Sequence, residues 1–214
     1  FGHRLRRVTD HAQGNFRAVQ EFTNQRLDGT TSVYEIAFET QDVDHSRGIF
    51  IKPAREKGRE ILRLDNDLWT YLPSAARTMR IADRESFAGG DFSNADVLRI
   101  DWTKQYDPKI IKDLPNQWIV ELTARGDQAA YAKMRLWIDK KTKQPVQQYY
   151  FDSRGTKLKE LQYGEVRASG SIERPMAMQM TNVITKQVSK LRIISTEKVS
   201  GFAPQRFVVE NLGK

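Results

Sequence analysis

The segment of residues 67–81 limits the fold of this chain more than any other stretch. In its first half, Leu68 and Leu72 fall on one side of a strand, since successive side chains of a strand alternate. Trp69 and Tyr71 fall on the opposite side. A strand with one solvated face alternates apolar and polar residues. Both faces of this strand must therefore be covered, either by the protein itself or by an apolar ligand.

The composition bounds the class of protein. The 214 residues contain 39% hydrophobic side chains, enough for an ordinary core. The absence of cysteine excludes a disulfide framework and a thiolate metal site. No apolar run approaches the roughly 18 residues of a membrane-spanning helix. The net charge of +8 favours anionic partners such as nucleic acid or phospholipid headgroups, although basic and acidic residues are interleaved as on an ordinary solvated surface.

The N-terminal segment predicts a short helix and a processed start. Leu5, Val8 and Ala12 recur at helical intervals within residues 4–13, and Gly14-Asn15 is a suitable C-cap. The first residues include neither an initiator methionine nor the apolar core of a signal peptide. We therefore expect that a secretory signal peptide preceded this sequence and was removed.

Beyond Gly14 the apolar residues recur with a period of two, which is typical of half-buried strands. Asp28-Gly29 is a strong hairpin signal, and the returning strand places Tyr34, Ile36 and Phe38 on one face. Similar runs follow at hairpin spacing and predict roughly ten or eleven strands, the pattern of an antiparallel sandwich or barrel. No linker or repeat divides them, so we predict a single domain over residues 1–214.

The turn between two of these runs sets a register. If Asp65-Asn66 forms a two-residue turn, Leu62 lies beside Trp69 on one face and Arg63 beside Leu68 on the other. A three-residue turn would exchange the two faces, and the sequence leaves that choice open.

The alternation lapses between residues 83 and 108. Ser93 and Asp96 have the spacing of a capping box, which predicts a short helix after them. We predict a flap over residues 86–94, hinged at its two glycines and built from Phe87, Gly89, Gly90 and Phe92.

Three segments resemble the signature of a known family. They are Asp67-Leu68-Trp69-Thr70-Tyr71-Leu72-Pro73-Ser74, Tyr131-Ala132-Lys133-Met134-Arg135-Leu136-Trp137-Ile138-Asp139 and Arg174-Pro175-Met176. In order and spacing, the chain is similar from Ile49 onward to the outer-membrane lipoprotein-sorting-like proteins of the LolA/LolB superfamily. The resemblance implies a mainly β protein with one highly curved antiparallel sheet, a half-open barrel covered by a few short helices.

The same resemblance implies a function. It suggests a periplasmic, non-enzymatic carrier of lipid or lipoprotein acyl chains, serving traffic to the outer membrane without a cofactor. Its partners would be the acyl chains, a membrane in transient contact, and an inner-membrane lipid exporter of the resistance-nodulation-division type. A monomer is expected.

Alternation within the strands gives the candidate lining of an acyl cavity. Large amphipathic rings suit a greasy ligand, and methionine adapts to varied apolar shapes. The alternative for each residue is an ordinary place in the core, which we favour for the run of Met176, Met178 and Met180. The candidates are Tyr34, Ile36, Phe38, Leu62, Trp69, Tyr71, Met134, Leu136, Ile138 and Met178.

Other chemistries find little support in the sequence. The three histidines all lie in the first quarter of the chain, and no nucleophile-elbow motif is present. His45 follows Asp42 and Asp44 in a predicted hairpin turn, which explains it without a metal. We therefore predict no catalytic residue and no metal site.

Three function classes remain. The leading one is the acyl-chain carrier. The second is an accessory scaffold of an envelope transporter, whose cavity is filled by its own side chains. The third is a single-stranded nucleic-acid binder, which would need a row of exposed aromatic residues between its basic edges. The filling of the interior separates the first two, and the exposure of the aromatic rings tests the third.

Overall fold

The computed structural model of the chain describes residues 14–98, 102–169 and 172–214. The helix predicted for residues 4–13 lies outside the described residues. Within them, the structure contains thirteen β-strands, one short α-helix and several 3₁₀ turns. The predicted number of strands was therefore too low.

The strands form one antiparallel sheet in which each strand pairs with its neighbours in the order β6-β5-β4-β3-β2-β1-β13-β12-β11-β10-β9-β8-β7. The strands are β1 (Phe16–Gln25), β2 (Thr31–Thr40), β3 (His45–Lys52), β4 (Glu60–Leu64), β5 (Asp67–Leu72), β6 (Arg77–Ile81), β7 (Tyr106–Asp113), β8 (Gln117–Ala124), β9 (Lys133–Asp139), β10 (Pro145–Phe151), β11 (Lys157–Ser169), β12 (Ile172–Asn182) and β13 (Val188–Lys198). The helix α1 spans Asn94–Leu98.

The sheet is strongly curved but not closed. Strands β6 and β7 are its two edges and do not pair with each other. Laid flat at about 4.8 Å per strand, the sheet would be roughly 58 Å wide. Lys104, two residues before β7 at one edge, nevertheless forms an ion pair with Asp44, which directly precedes β3 near the other edge. Only a curved sheet permits this, so the predicted half-open barrel is confirmed.

The inner, concave face carries the main core. Phe22, Ile36 and Phe50 alternate inward from β1, β2 and β3, and each is at most 1% exposed. Leu136 and Met180 contribute from the far half of the sheet and are fully buried. Complete burial of such side chains stabilises the fold by about 1.5–3 kcal/mol each, so this face supplies most of the apolar burial.

A long connection joins the two edges of the sheet. The connection of residues 82–105 runs from the end of β6 to the start of β7, and its described residues 82–98 and 102–105 are here called the crossover. The crossover contains a 3₁₀ turn at Phe87–Gly89 and the helix α1. Its apolar residues Phe87, Phe92 and Leu98 belong to the main core, each 2% exposed. The crossover is thus the cover of the inner face.

The outer face has a smaller cover of its own. Residues 199–214, here called the C-terminal strap, continue from β13 and include two 3₁₀ turns. Phe207 and Leu212 of the strap form a second apolar cluster with Leu62, against which Trp69 and Tyr71 pack. The strand of residues 67–72 is therefore covered on both faces by the protein, as its composition requires.

Strand β7 is one of the strands that the sequence did not predict. Its sequence contains Pro108, and its two isoleucines stand together between Lys109 and Lys112, so apolar and polar residues do not alternate. Proline is tolerated in a sheet mainly at an edge, because it cannot donate a ladder hydrogen bond, and β7 is an edge strand. Lysine on an edge also discourages pairing with another sheet.

Candidate functional site

Aromatic rings hold the crossover on the inner face. The Phe87 ring lies 4.8 Å from that of Phe22, 6.2 Å from that of Phe50 and 6.4 Å from that of Phe38, between ring centroids. The Phe92 ring meets Phe22 edge-on at 6.2 Å. Ring pairs at such distances stabilise the fold by about 0.5–1.5 kcal/mol beyond the stabilisation that comes from their burial. One crossover ring therefore packs on the inner face against β1, β2 and β3.

The tip of the crossover is a tight loop. The Phe87 amide donates to the Phe92 carbonyl at 2.8 Å, and the Gly90 amide donates back to the Phe87 carbonyl at 3.0 Å. Ala88 and Gly89 take left-handed backbone angles, with φ of 50° and 71°. The predicted hinge at Gly89 and Gly90 is thus the turn of this loop. Any rigid movement of the loop would pivot at its ends.

Side chains of the sheet bind the backbone of the loop. The Asn24 amide donates to the Ala88 carbonyl at 2.9 Å. The Asp91 amide donates to the Ser189 hydroxyl at 2.8 Å, and the hydroxyl donates to the Asp91 carboxylate at 3.2 Å. Asn182 donates to the same carboxylate at 3.1 Å. These contacts join the tip to β1, β12 and β13 without forming a strand.

An ion pair fixes the first end of the crossover. Arg63 on β4 binds Asp83, and its side chain is 1% exposed. Arg63 points to the inner face because it pairs with Leu68, whose side chain is 2% exposed in the main core. A buried ion pair whose partners lie on separate elements joins those elements, and its loss leaves a charge without compensation.

Helix α1 carries a carboxylate into a polar cluster. Asp96 accepts hydrogen bonds from the Ser93 amide at 2.8 Å and from the Tyr131 hydroxyl at 2.7 Å. The Asp96 amide binds the Ser93 hydroxyl at 3.2 Å in return, so the predicted capping box is confirmed. The Lys159 ammonium lies 3.2 Å from the Tyr131 hydroxyl. The second half of the crossover is thus joined to β11 and to the loop before β9.

Burial governs the ionisation of this cluster. Asp96 keeps part of its surface exposed, yet its carboxyl is enclosed by protein, and this desolvation raises its pKa against the opposing charge of Lys159. Desolvation also lowers the pKa of Lys159 and raises the pKa of Tyr131 and Tyr150 well above the ordinary value. The tyrosines therefore act only as neutral hydrogen-bonding groups near neutral pH.

The raised pKa of Asp96 makes stability depend on pH. The folded protein binds the proton more tightly than the unfolded chain, so stability falls as the pH rises from the ordinary value of 3.8 through the folded pKa. The variant Asp96→Asn lacks this penalty, so its stability relative to wild type is expected to be greater at pH 7 than below pH 3.8. Urea unfolding of both proteins at pH 7 and below pH 3.8 measures the difference at each pH. An equal difference at both values would contradict the assignment.

Seven of the ten candidate lining residues lie on the inner face. Ile36, Phe38, Met134, Leu136 and Ile138 are buried in the main core, while Tyr34 and Met178 are half-buried against it. The other three, Leu62, Trp69 and Tyr71, lie on the outer face under the C-terminal strap. Their assignment to the same hollow was wrong, because the register that pairs Leu62 with Trp69 turns both away from Leu68. Whether lipid contacts the other seven stays a prediction.

The strap is anchored by a buried ion pair on the outer face. The Arg47 guanidinium donates to the Glu60 carboxylate at 2.8 Å, with 2% and 6% of the two residues exposed. It also donates to the carbonyls of Arg206 at 3.2 Å and Asn211 at 3.3 Å. The Gly213 amide donates to the other Glu60 oxygen at 3.3 Å. The pair therefore ties β3 and β4 to the strap.

Two open clefts lie elsewhere on the sheet. One of about 370 Å³ is lined mainly by polar residues of the outer face, among them Glu21, Lys190 and Arg192. The other, about 360 Å³, lies beside the strap and includes Arg17, Glu39 and Arg206. Charged side chains line part of both clefts, and the second also includes the apolar residues Val19, Ala37 and Ile49.

The contacts of the crossover that the sequence did not reveal are polar. From the sequence alone, turn and cap chemistry is enough to explain Asp91 and Asp96, and a solvated strand edge is enough to explain Lys159. Asp91 contacts Ser189, Asp96 contacts Tyr131, and Lys159 contacts the Asp91 carbonyl. Each of these contacts joins parts of the chain that lie far apart in sequence. The capping box was the one local sequence signal for this cluster. It indicated the position of Asp96 but not its neighbours Tyr131 and Lys159.

A family model described as "Uncharacterized protein" matches residues 42–214. The chain belongs to this family. Among curated proteins, none matches the sequence significantly.

Solved structures show which fold the family member has. A LolA superfamily protein from Nitrosomonas europaea is 21% identical, with a TM-score of 0.86 over 96% of each chain. A putative outer membrane lipoprotein-sorting protein domain from Vibrio parahaemolyticus is also 21% identical, with a TM-score of 0.86 over 100% of this chain and 98% of the other. A DUF1329 family protein from Desulfovibrio piger is 20% identical, with a TM-score of 0.87 over 99% and 97%. The chain therefore has the LolA fold.

Three structural findings bear on other functions of this LolA-like protein. Among the described residues, no group of three or more His, Cys, Asp or Glu side chains could hold a metal ion, and no helix is long and apolar enough to span a membrane. The exposed large hydrophobic residues of that same part of the chain include no aromatic ring. Trp137, Tyr149 and Phe151 instead form a row of half-buried rings on the outer face, with ring centroids 4.6 and 6.5 Å apart.

Proposed function

We propose that the protein is a periplasmic, non-enzymatic carrier that holds the acyl chains of lipids or lipoproteins against the inner face of its sheet. The observation that carries the proposal is that the crossover covers this face without adding a strand to the sheet. Moving one segment therefore uncovers an apolar face while the ladders between strands stay intact. The likeness to a lipoprotein-sorting domain supports the same function.

Burial energies indicate which cargo displaces the crossover. Phe87 and Phe92 each gain about 1.5–3 kcal/mol by burial. An acyl chain gains about 0.8 kcal/mol per methylene that leaves water, so roughly eight methylenes offset both rings. Longer chains are needed to offset also the polar contacts that hold the tip, such as those of Asn24 with Ala88 and of Ser189 with Asp91. An acyl chain in a bilayer is already in apolar surroundings, so uptake from a membrane needs a contribution from a partner, for which we propose an inner-membrane lipid exporter.

One observation favours the scaffold function instead. The rings of Phe87 and Phe92 and the side chain of Leu98 fill the centre of the inner face and are each 2% exposed. If the crossover never moves, the interior is a finished core, and the protein acts through its surface as an accessory subunit of an envelope transporter. The two functions differ in whether the crossover opens.

A disulfide that locks the crossover tests the choice. A Cβ placed on Gly90 lies 2.6 Å from Asn24 Cγ, the atom that a cysteine sulfur would replace, so the pair Asn24→Cys and Gly90→Cys is close enough to bond. The native sequence has no cysteine, so the engineered pair has no competitor. The carrier function predicts that wild type binds a fluorescent fatty acid, that the oxidised pair loses this binding, and that a reductant restores it.

The reduced double variant is the matched control, because it has the same composition with a free crossover. Native mass spectrometry of wild-type protein purified from cells adds a second readout, with bound lipid as the expected result. Protein that carries no lipid and ignores the probe in both redox states would contradict the carrier function and favour the scaffold.

A further inference from the structure

The two most exposed large hydrophobic residues of the described chain lie on neighbouring turns. Leu27 is 72% exposed and Ile184 is 63% exposed. Leu27 is in the turn between β1 and β2, and Ile184 is in the turn between β12 and β13. Strands β1 and β13 pair up to Gln25 and Val188, which places these turns side by side at one end of the sheet.

Neither turn needs an apolar side chain for its own geometry. The first is closed by the Arg26 amide, which donates to the Thr30 carbonyl, while the Asp28 carboxylate accepts the Thr30 amide at 2.8 Å. In the second, the Asn182 side-chain oxygen accepts the Ile184 amide at 3.1 Å. Turn tips favour glycine, proline and small polar residues, and β-branched isoleucine is unusual there. Leu27 and Ile184 are thus unexplained by folding.

Cations surround the two apolar tips. Arg26 and Lys186 are exposed on the same two turns, and Arg154 is exposed on the adjacent turn between β10 and β11. None of these cations forms an ion pair within the described part of the chain. The acidic neighbours Asp28 and Asp152 turn their carboxylates back to backbone amides of their own turns. The three turns together hold three cations and these two carboxylates, so the apolar tips stand on a surface with a net positive charge, which matches the interface of an anionic bilayer.

The same end of the sheet holds the tip of the crossover. Asn24 lies one residue before the end of β1 and binds the Ala88 carbonyl. Ser189, the second residue of β13, binds Asp91. A surface that takes up Leu27 and Ile184 would therefore lie next to the segment that must move to admit an acyl chain.

We propose that the turns of residues 26–30 and 183–187 form a docking edge that inserts Leu27 and Ile184 into the interface of an anionic phospholipid bilayer. The inference deepens the proposed carrier function and rests on it for its purpose. Two apolar side chains alone give weak insertion, so the cations provide the second contribution that membrane binding needs.

Vesicle sedimentation tests the docking edge. Wild-type full chain is expected to bind vesicles of phosphatidylethanolamine with phosphatidylglycerol, to bind phosphatidylcholine vesicles much less, and to dissociate as salt rises. The variant Leu27→Ser/Ile184→Ser should lower the partition coefficient on anionic vesicles by roughly tenfold or more. Arg26→Gln/Lys186→Gln should weaken anionic binding and flatten its salt dependence.

The matched control is Val166→Ser. Val166 is 49% exposed on β11 at the far end of the sheet, so it tests the loss of an exposed apolar residue in another place. It should bind vesicles as wild type does, and equal thermal unfolding of all variants excludes misfolding. If wild type did not bind anionic vesicles, or if the double variant bound them as tightly as wild type, the proposed membrane docking would be wrong. A protein partner would then be the better explanation for these turns.

A fatty-acid titration without vesicles separates the two proposals. The variant Leu27→Ser/Ile184→Ser should bind the soluble probe as wild type does, because neither residue belongs to the inner-face core. Probe binding without vesicle binding would refute the docking edge and keep the carrier function. Vesicle binding without probe binding would support the edge as a membrane contact and refute the carrier function.

Discussion

Replacement of Arg47 by methionine is expected to lower the free energy of unfolding by about 3–5 kcal/mol, the usual result of removing one partner of a buried ion pair. Glu60 would remain 6% exposed with its charge uncompensated. The carbonyls of Arg206 and Asn211 would also lose their donors, so the C-terminal strap would loosen from β3 and β4. Urea unfolding monitored by circular dichroism measures the loss.

Two controls isolate the cause. Arg125→Met removes a guanidinium of the same kind, but Arg125 is 50% exposed and its partner Asp107 is 68% exposed, so the expected cost is below about 1 kcal/mol. The double variant Arg47→Met/Glu60→Leu replaces the whole pair by apolar side chains and should recover most of the lost stability. An Arg47→Met variant as stable as Arg125→Met would show that the strap is not held by this pair.

The same region shows how far the sequence determines the fold. The pairing of Leu62 with Trp69 follows from a two-residue turn, and the structure has this register. Local alternation also gives the two apolar faces of β5. Alternation does not reveal which of these faces is the inner one, because that depends on residues 199–214 and on the crossover, which are both distant from β5 in sequence. The large rings of Trp69 and Tyr71 were assigned to the cavity by size, whereas the strap covers them.

Arg63 illustrates the same limit from the opposite direction. An arginine between two leucines indicates a solvated position by alternation, yet Arg63 is 1% exposed on the inner face. Its burial depends on Asp83, which lies beyond two further strands along the chain. A contact between two charges across elements has no local pattern. Turns, strands and the capping box were therefore predictable, and the polar contacts that hold the crossover were not.

Replacement of Phe87 by alanine is expected to separate the crossover from the core it covers. The ring contacts Phe22, Phe38 and Phe50, and truncation of a buried phenylalanine costs about 3–5 kcal/mol. Because the crossover adds no strand to the sheet, this cost falls on its docking. If displacement of the crossover precedes acyl binding, removing about 3 kcal/mol from it should raise the affinity for a fatty-acid probe by roughly 100-fold.

The matched variant is Phe22→Ala, which removes an equal ring from the other side of the same contact. Phe22 belongs to β1 at the centre of the sheet and is 1% exposed, so its loss weakens the sheet itself along with the docking surface. It should lower the free energy of unfolding at least as much as Phe87→Ala. Its gain in probe affinity should be smaller, because the acyl site loses one of its lining rings.

Hydrogen exchange distinguishes the two variants further. In Phe87→Ala the faster exchange should be confined to residues 86–98, and in Phe22→Ala it should spread to β1 and β13. Equal, global exchange in both variants without a change in probe affinity would mean that the crossover is a permanent part of the core.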